Sequence, residues 1–443
     1  MVRRGIFFAS LIVALAGCKA QGPRAVQGEK LEGYTVMDIA TRRAQRRDLW
    51  VVDGKIATQA PAGSEHWPVR HGQGKWLLPS YWDLLTASWG NPSTQDYRTL
   101  FQSMGSDTLA KAQLSVGVGH VVAGLGNGGW YQGGLKRDRA MELFGAECLR
   151  SSRYLCGPAQ DTPGGVTLGA VADVEAPLAK ELAQDPQYIL VSYSHGTAAF
   201  PAVSKAVLVE LIHRGHQAGK KVVVNAGLVG EAQEAVGLGA DALVGPPFDR
   251  DAKALFSRMA QAKVAWGPFI AATLDLHHLG GPEGVLSDPL AAGLIRRDLM
   301  DDYLSAGKWG AQAARQFKWS EGKEDGLLLQ LRQAKAAGVV LLAPTFAGWA
   351  AGSFQGLSLH RNLRWMVKAG LSPWDALEAV TLAPARLLGR PCDLEDGAPA
   401  DFVVLDADPI ADIKNAARIS ELHRGARWGK PQDLKPDLWR RHY

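Results

Sequence analysis

The sequence predicts an α/β protein built around an eight-stranded (β/α)8 barrel of the TIM type. Between residues 79 and 388, short runs of apolar and β-branched residues alternate with stretches rich in Ala, Leu and Lys. This alternation is typical of βα units around a parallel sheet, and the number of units suits eight strands. The clearest predicted strands are Val116–Val122, Tyr188–Tyr193, Lys221–Asn225, Ala240–Val244 and Val339–Leu342.

Composition and charge limit the possible functions. Of the 443 residues, 47% are hydrophobic and 21% are charged, which is ordinary for a folded protein with a full core. The formal net charge of +5 is too small and too dispersed to indicate a nucleic-acid partner. One basic run, Arg42–Arg47, is interpreted as a solvated turn, and its alternative is a weak contact with an anionic membrane surface.

The N-terminus has the pattern of a bacterial lipoprotein signal. Two arginines precede the apolar stretch Ile6–Ala16, which is too short to span a bilayer. The stretch leads into Leu-Ala-Gly-Cys, which resembles a lipobox, with Cys18 as the lipidated residue. We predict a signal peptide at 1–17 and a lipid anchor at Cys18 in the cell envelope, and Lys19 favours the outer membrane. An ordinary signal peptide with an incidental cysteine is the alternative.

The chain after the predicted signal divides into two parts of different composition. Residues 18–30 are polar and without periodicity, and we predict a tether there. Residues 31–78 contain short strand-like runs, such as Leu49–Val52 followed by the turn residues Asp53 and Gly54.

The sequence does not decide whether two further cysteines form a disulfide. Cys148 and Cys156 lie in a segment rich in Gly, Ser and Pro. An oxidising compartment permits a disulfide between them, and two apolar thiols are the equal alternative.

The C-terminal third carries clear helix and strand signals. Ser372 is a suitable N-cap, with Pro373 at the first helical position and Asp375 as the capping-box partner. Val403–Leu405 is a short β-prone run that ends at the turn signal Asp406–Pro409.

Segments in this third, with one near residue 80, resemble the amidohydrolase superfamily. Leu77–Asp83 is similar to the strand that opens the catalytic barrel of those enzymes. The later segments are similar in order and spacing to imidazolonepropionase-like and prolidase-like amidohydrolases, and the resemblance covers roughly residues 34–425. The segments that carry it are Gly356–Leu363, Lys368–Pro373, Asp375–Leu377, Thr381–Gly389 and Asp396–Asp406.

This resemblance implies an organisation and an activity. It places the barrel at 79–388, a small composite β-sandwich domain at 31–78 plus 389–425, and a C-terminal tail at 426–443. Enzymes of the superfamily hydrolyse amide C–N bonds with zinc or another divalent metal, which is held at the C-terminal ends of the barrel strands.

At six positions where the resemblance implies metal ligands, other residues stand. Leu85 and Ala87 replace the His-x-His of the first strand, and Phe346 replaces the aspartate of the last strand, which is both ligand and general base. Such side chains are poor ligands or none, and we expect Leu85 and Phe346 to fill the volume of the metal and its water. The replaced positions are Leu85, Ala87, Leu190, Asn225, Gly245 and Phe346.

Polar residues nearby are weaker candidates for catalysis. Asp83 directly precedes the two replaced positions of the first strand, and His195 follows the fourth strand. Asp275 and His277, with the adjacent His278, follow the predicted seventh strand and are candidates for a relocated metal site with His195. The alternative is a solvated loop with hydrogen-bonded histidines.

These observations lead to two main hypotheses. The first is an amidohydrolase-like lipoprotein of the bacterial cell envelope that is a catalytically inactive pseudoenzyme, binds an unknown small ligand or envelope protein, and uses no cofactor. The second is an active hydrolase of amide C–N bonds with a relocated or metal-free site. A structural envelope scaffold without a ligand is a third interpretation, which the sequence does not separate from the first.

Overall fold

The computed structural model describes residues 28–87, 107–125, 141–158, 165–195, 200–246, 248–295, 301, 305 and 311–434. The predicted signal peptide, Cys18 and most of the predicted tether lie outside the described residues, as does the predicted tail from residue 435 onward. Within the ranges described, no helix is both long and apolar enough to cross a membrane.

The described strands are numbered in chain order. They are β1 (Gly28–Asp38), β2 (Arg43–Val52), β3 (Lys55–Ala57), β4 (Val69–His71), β5 (Trp76–Pro79), β6 (Tyr81–Ala87), β7 (Val118–Leu125), β8 (Glu147–Arg150), β9 (Tyr154–Cys156), β10 (Gly165–Thr167), β11 (Tyr188–Ser192), β12 (Lys221–Asn225), β13 (Ala242–Gly245), β14 (Ala265–Pro268), β15 (Phe402–Leu405), β16 (Ile419–Arg424) and β17 (Arg427–Gly429).

The labelled α-helices follow the same order, and a further helical segment covers residues 107–115. They are α1 (Glu175–Leu182), α2 (Lys205–Gln217), α3 (Val229–Leu238), α4 (Lys253–Ala262), α5 (Ile270–Leu274), α6 (Ala291–Leu294), α7 (Ala311–Ser320), α8 (Glu324–Ala337), α9 (Leu357–Lys368), α10 (Pro373–Val380), α11 (Leu382–Leu387) and α12 (Pro431–Leu434).

Strands from both ends of the chain share one mixed sheet. Its order is β17-β16-β15-β5-β1-β2-β3, with β4 also paired to β1. The junction of the two segments is the antiparallel pair β5–β15, in which Leu78 lies opposite Val403. The sequence predicts a β-sandwich from these segments, whereas the described strands form a single eight-stranded sheet that β17 extends beyond residue 425.

The basic run occupies a strand rather than the predicted turn. The chain turns at residues 39–42, so only Arg42, the first residue of the run, lies in the turn, with a positive φ of 57°. Residues from Arg43 onward form β2 and pair with β1, with Arg43 opposite Asp38. The prediction of a turn over the whole run is therefore wrong, because pairing with β1 outweighs the repulsion among its exposed basic side chains.

The parallel strands form two further sheets. One is β6-β7-β8, and the other is β10-β9-β11-β12-β13-β14. The predicted strand Lys221–Asn225 is confirmed to the residue as β12, whereas β7 extends to Leu125, beyond its predicted end. Val339–Leu342 is wrong as a strand, because only Leu341 makes a bridge, to Trp266 of β14.

Backbone hydrogen bonds outside the strand ladders connect these parallel sheets. Ser152 N donates to Tyr188 O at 2.9 Å, which joins the end of β8 to β11. Leu342 N donates to Trp266 O at 2.8 Å beside β14. Phe346 N then donates to Leu85 O at 2.8 Å, so the segment after α8 also contacts β6.

The start of α10 follows the predicted cap. Ser372 Oγ accepts from Asp375 N at 3.2 Å, while the Asp375 carboxylate accepts from Ser372 N at 3.0 Å. Pro373 occupies the first turn. The predicted capping box is confirmed.

Alternate residues of the parallel strands face two different cores. On β11, Ile189 and Val191 pack in the large core that also contains helix residues such as Leu208. Tyr188 and Leu190, which alternate with them in sequence, pack in a second cluster. Alternation of this kind is typical of a strand that is buried on both faces. The residues of the second cluster therefore decide which side chains cover the other face of the strand.

Both central cysteines are buried thiols, and the disulfide alternative is not formed. Cys148 Sγ donates to Ala146 O at 3.7 Å and Cys156 Sγ donates to Val166 O at 3.5 Å. The two residues lie on different strands, β8 and β9.

Candidate functional site

The positions at which the resemblance implies metal ligands lie on or just after the parallel strands, and contacts connect several of them. A Cβ added at Gly124 would collide with Leu85 Cδ1 and lie 3.0 Å from Leu190 Cδ2, so these two side chains meet over β7. Phe346 bonds to Leu85 through its backbone, and Asn225 faces Gly245. We call this region the mouth. Ala87 is the last residue of β6, and its side chain is outside the described set.

Apolar side chains fill the mouth. Leu85 and Leu190 are fully buried in the second cluster. The Phe346 ring stacks on Phe269 with centroids 4.2 Å apart and planes within 4°. Tyr154 and Phe200 form a second stack at 4.4 Å. These rings and the two leucines are the apolar side chains described at the mouth.

One polar group is left without a partner in this apolar setting. Asn225 Nδ2 donates to Tyr154 Oη at 2.5 Å, whereas Asn225 Oδ1 is buried and has no hydrogen-bond donor among the described residues. A Cβ built on Gly245 would lie 2.7 Å from that oxygen, and Gly245 has a φ of 143°. A larger residue at position 245 would clash there, so the site is shaped for glycine.

Phe346 also has an unusual backbone. Its φ is 55°, in the left-handed region that bulky residues rarely adopt. Its carbonyl oxygen accepts from Trp349 N at 3.3 Å and Ala350 N at 3.2 Å. These bonds and the stack on Phe269 hold the residue in a conformation that costs about 1 kcal/mol or more.

Asp83 serves the scaffold. Its Oδ2 accepts from Thr345 Oγ1 at 2.5 Å, and its Oδ1 accepts from Thr345 N at 3.1 Å. The residue is fully buried, and this burial raises its pKa to about 6 although the hydrogen bonds oppose the shift. Asp83 thus joins β6 to the segment that carries Phe346.

His195 is held differently from the other candidates. Its Nδ1 lies 2.9 Å from Glu231 Oε1, and its side chain is 62% exposed. Glu231 is buried and also accepts from the backbone N–H groups of His195 and Leu228, at 2.7 and 3.1 Å. Glu231 therefore fixes the orientation of the imidazole through Nδ1.

Asp275, His277 and His278 each have separate partners. Asp275 is buried against Arg361 at 3.2 Å and accepts from Trp365 Nε1 at 2.8 Å. His277 Nε2 lies 2.9 Å from Ser320 Oγ, and His278 Nε2 lies 2.7 Å from Glu324. Burial raises the pKa of Asp275, although Arg361 opposes the shift. The structure does not bring these residues together with His195.

A charged cluster at the junction of β7, β8 and β16 was not predicted from the sequence. His120 Nδ1 lies 2.9 Å from Glu147, which also accepts from Arg390 at 2.8 Å. Arg424 Nη1 lies 3.4 Å from His120 Nε2. Burial lowers the pKa of His120, with Arg424 adding to the effect. Burial would raise the pKa of Glu147, but His120 and the two arginines outweigh it and lower that pKa to about 2. Only His120, on a predicted strand, gave a signal in the sequence.

No protein-family model matches the sequence, and no curated protein matches it. Solved structures do match. A putative prolidase from Bifidobacterium longum is 21% identical, with a TM-score of 0.66, over 94% of this chain and 99% of that chain. A Xaa-Pro dipeptidase is 15% identical, with a TM-score of 0.65, over 91% and 100%. Molinate hydrolase is 16% identical, with a TM-score of 0.63, over 93% and 96%.

These comparisons define a fold. The chain has the mixed α/β fold of amidohydrolases, and the predicted resemblance to that superfamily is confirmed at the level of the fold. At such low identity the activities of these structures do not transfer to this chain.

The expectation that the protein uses no cofactor needs correction. The solved structures of this fold are hydrolases of a typically metal-dependent kind, so the fold gives no ground for excluding a metal. The residues at the mouth nonetheless do not fit one. In the described part of the chain, no group of three or more His, Cys, Asp or Glu residues is arranged to hold a metal ion. Asn225 Oδ1 is an unpartnered oxygen there.

Asp83→Asn should change the pH dependence of stability. The folded pKa of about 6 exceeds the ordinary value of 3.8, so the native state binds more protons between these values. The wild type should therefore gain stability relative to the variant as pH falls from about 6 to 4, by up to about 3 kcal/mol. Urea unfolding at several pH values measures this, and a difference that is flat or grows with pH would contradict the buried carboxylate.

Phe346→Gly should be more stable than Phe346→Ala. Both variants lose the ring, but only glycine adopts the positive φ without strain, which favours it by about 1 kcal/mol. The control is Ala260→Gly in α4, where helical geometry should make glycine the less stable residue by about 1 kcal/mol. Chemical denaturation of all three variants tests this, and alanine matching or exceeding glycine at position 346 would show that the strain is absent.

Proposed function

We propose that this chain is a cell-envelope protein that retains the amidohydrolase fold but binds a ligand or partner protein instead of hydrolysing an amide. The observation that carries the proposal is the side chain at position 346. The resemblance implies a general base at this position. The side chain there is instead a phenyl ring, which is stacked on Phe269 and cannot accept a proton. Leu85 and Leu190, fully buried beside it, offer no polar group of their own to activate water.

The mouth offers a specific contact to a ligand. The buried Asn225 Oδ1 lacks a donor among the described residues, which costs about 1–3 kcal/mol if it stays unpaired. Because apolar side chains fill the mouth, a ligand would have to displace some of them. A ligand that then donates one hydrogen bond to this oxygen and packs against Phe346 would recover that cost. Binding of this kind needs no reaction chemistry, and it suits a site lined by rings.

The proposal includes a domain organisation. We infer that the parallel strands close into a (β/α)8 barrel at 79–388, supported by the hydrogen bonds that connect Tyr188 with Ser152 and Phe346 with Leu85. The mixed sheet would then be the composite domain of 31–78 plus 389–425, followed by a C-terminal tail at 426–443. Its two segments meet at β5 and β15.

The proposal also includes a membrane anchor. A signal peptide at 1–17 would be removed, and Cys18 would carry lipid, with residues 18–30 as the tether to β1. The support is the charged start, the short apolar stretch and the Leu-Ala-Gly-Cys sequence. The location would be the outer membrane of a bacterial envelope.

An active hydrolase is the second candidate, and one observation favours it. His195 is an exposed imidazole whose Nδ1 is fixed by the buried Glu231, and this arrangement prepares Nε2 to accept a proton. Such a base would act on water or a substrate hydroxyl near the end of β11. Its chemistry would be independent of the six replaced positions.

Enzyme assays separate the two candidates. Wild type should show no turnover of dipeptides, N-acyl amino acids or imidazolones above that of heat-denatured protein, with or without added Zn²⁺ or Mn²⁺. The matched variants are His195→Ala and Glu231→Gln. Turnover that falls at least tenfold in both variants would reject the binding protein and establish the second candidate.

Cys18→Ser should abolish lipid labelling, because the thioether linkage needs the sulfur. Cells that express either form are grown with a clickable fatty-acid analogue, and the purified chains are compared. Cys392→Ser is the matched control and should label like wild type. Equal labelling of the Cys18→Ser chain would disprove the anchor.

A further inference from the structure

The segment that carries Phe346 lies at the mouth as turns and irregular backbone. It covers residues 343–353, and we call it the lid. Two of its rings are partly buried at the mouth. Phe346 stacks on Phe269 with centroids 4.2 Å apart, and Trp349 packs on Phe200 at 5.0 Å. Since these rings help to fill the mouth, a ligand that enters it has to displace them.

Two amide side chains fasten the lid near its ends. Asn362 Nδ2 donates to Ala343 O at 3.0 Å, near the start of the lid. Gln316 Oε1 accepts from Ala351 N and Gln316 Nε2 donates to Ala351 O, each at 2.9 Å, near its end. Both amides also bind the backbone of α5 at 2.8 Å. These bonds involve no ionisable group, so they hold the ends of the lid at any ordinary pH.

A carboxylate holds the part of the lid next to Phe346. The fully buried Asp83 accepts from Thr345 N at 3.1 Å and from Thr345 Oγ1 at 2.5 Å. Thr345 directly precedes Phe346, whose φ of 55° is strained for a bulky residue. Asp83 therefore helps to keep the ring in a conformation that the backbone of Phe346 does not favour on its own.

The surroundings of Asp83 contain little to balance its charge. A third hydrogen bond comes from Leu85 N at 3.4 Å, and the titratable side chain that faces Asp83 is Tyr188, whose Oη donates to Leu84 O at 2.5 Å. Among the described residues, no charged side chain contributes to the pKa of Asp83, which burial raises to about 6. An ionised Asp83 is therefore costly under the closed lid, and water would relieve this cost if the lid opened.

We propose that the lid regulates access to the mouth, staying closed while Asp83 is protonated and opening more often when Asp83 is ionised. Opening moves Phe346 away from Phe269 and relaxes its backbone, while the two amides keep the ends of the lid in place. The mouth would then admit a ligand more readily at neutral than at acidic pH. This inference rests on the proposed function, because it describes the regulation of the same ligand site.

Hydrogen–deuterium exchange of the full chain measures the opening without a ligand. Phe346 N and Ala350 N are lid amides that donate hydrogen bonds at 2.8 and 3.2 Å. After correction for the intrinsic pH dependence of exchange, the opening equilibrium of the lid should rise about tenfold from pH 5 to pH 7. The amides of β12 are the internal reference and should be better protected than the lid at both pH values. Equal protection of the lid and β12 would show that the lid opens only when the whole protein unfolds, and would overturn the proposal.

Asp83→Asn assigns the effect to this carboxyl group. The amide does not titrate, so the rise in lid opening from pH 5 to pH 7 should disappear. Asp173→Asn is the matched control, because Asp173 is an exposed carboxylate that also accepts from a backbone N–H, that of Ala170, at 2.8 Å. The rise should be unchanged in the control. A rise that persists in Asp83→Asn, or that is lost in Asp173→Asn, would contradict the role of Asp83.

Thr345→Val gives a second test that keeps the carboxyl group. The hydroxyl of Thr345 lowers the pKa of Asp83, so its removal should move the midpoint of the change in lid opening to higher pH. An unchanged midpoint would show that Asp83 does not control the lid. Failure of these exchange experiments leaves the proposed ligand site standing. Turnover in the enzyme assays would instead reject the binding protein without altering the exchange result.

Discussion

The central strands of this protein must bury both of their faces, and much of the structure depends on that constraint. One face packs against helices, as Ile189 and Val191 do, and the other turns inward with Tyr188 and Leu190. A metal-using hydrolase of this fold would place polar ligands at the ends of the inward faces. Here the inward cluster consists of apolar side chains such as Leu85 and Leu190 together with aromatic rings.

The polar residues that remain near the strand ends mostly serve the scaffold. Asp83 is positioned by Thr345 and fastens β6 to the segment of Phe346. Asp275 is paired with Arg361 and Trp365 on α9. Asn225 Oδ1 and the outward Nε2 of His195 are the exceptions, since neither has a hydrogen-bond partner among the described residues. Functional chemistry at this end of the molecule would therefore begin with these two side chains.

The sequence predicted features whose signals are local. The capping box at Ser372 and the strand Lys221–Asn225 each depend on residues a few positions apart, and both agree with the structure. Val339–Leu342 has the same β-branched composition, yet it makes only one bridge, because pairing depends on a neighbour and not on composition. The cluster around His120 was not predicted from the sequence for a similar reason. Its partner Arg424 lies 304 positions away, and no local pattern connects such residues.

The shared sheet has a consequence for how the chain folds during synthesis. β5 needs β15 as its neighbour, and Tyr81 Oη donates to Ala416 O across 335 positions at 2.8 Å. The N-terminal strands leave the ribosome long before their partners are synthesised. One edge of β5 therefore remains unpaired until nearly the whole chain has emerged. Such a chain favours late, all-at-once assembly over stepwise folding. Truncation from the C-terminus would then remove the partner of the N-terminal strands and leave an aggregation-prone edge, rather than a smaller folded domain.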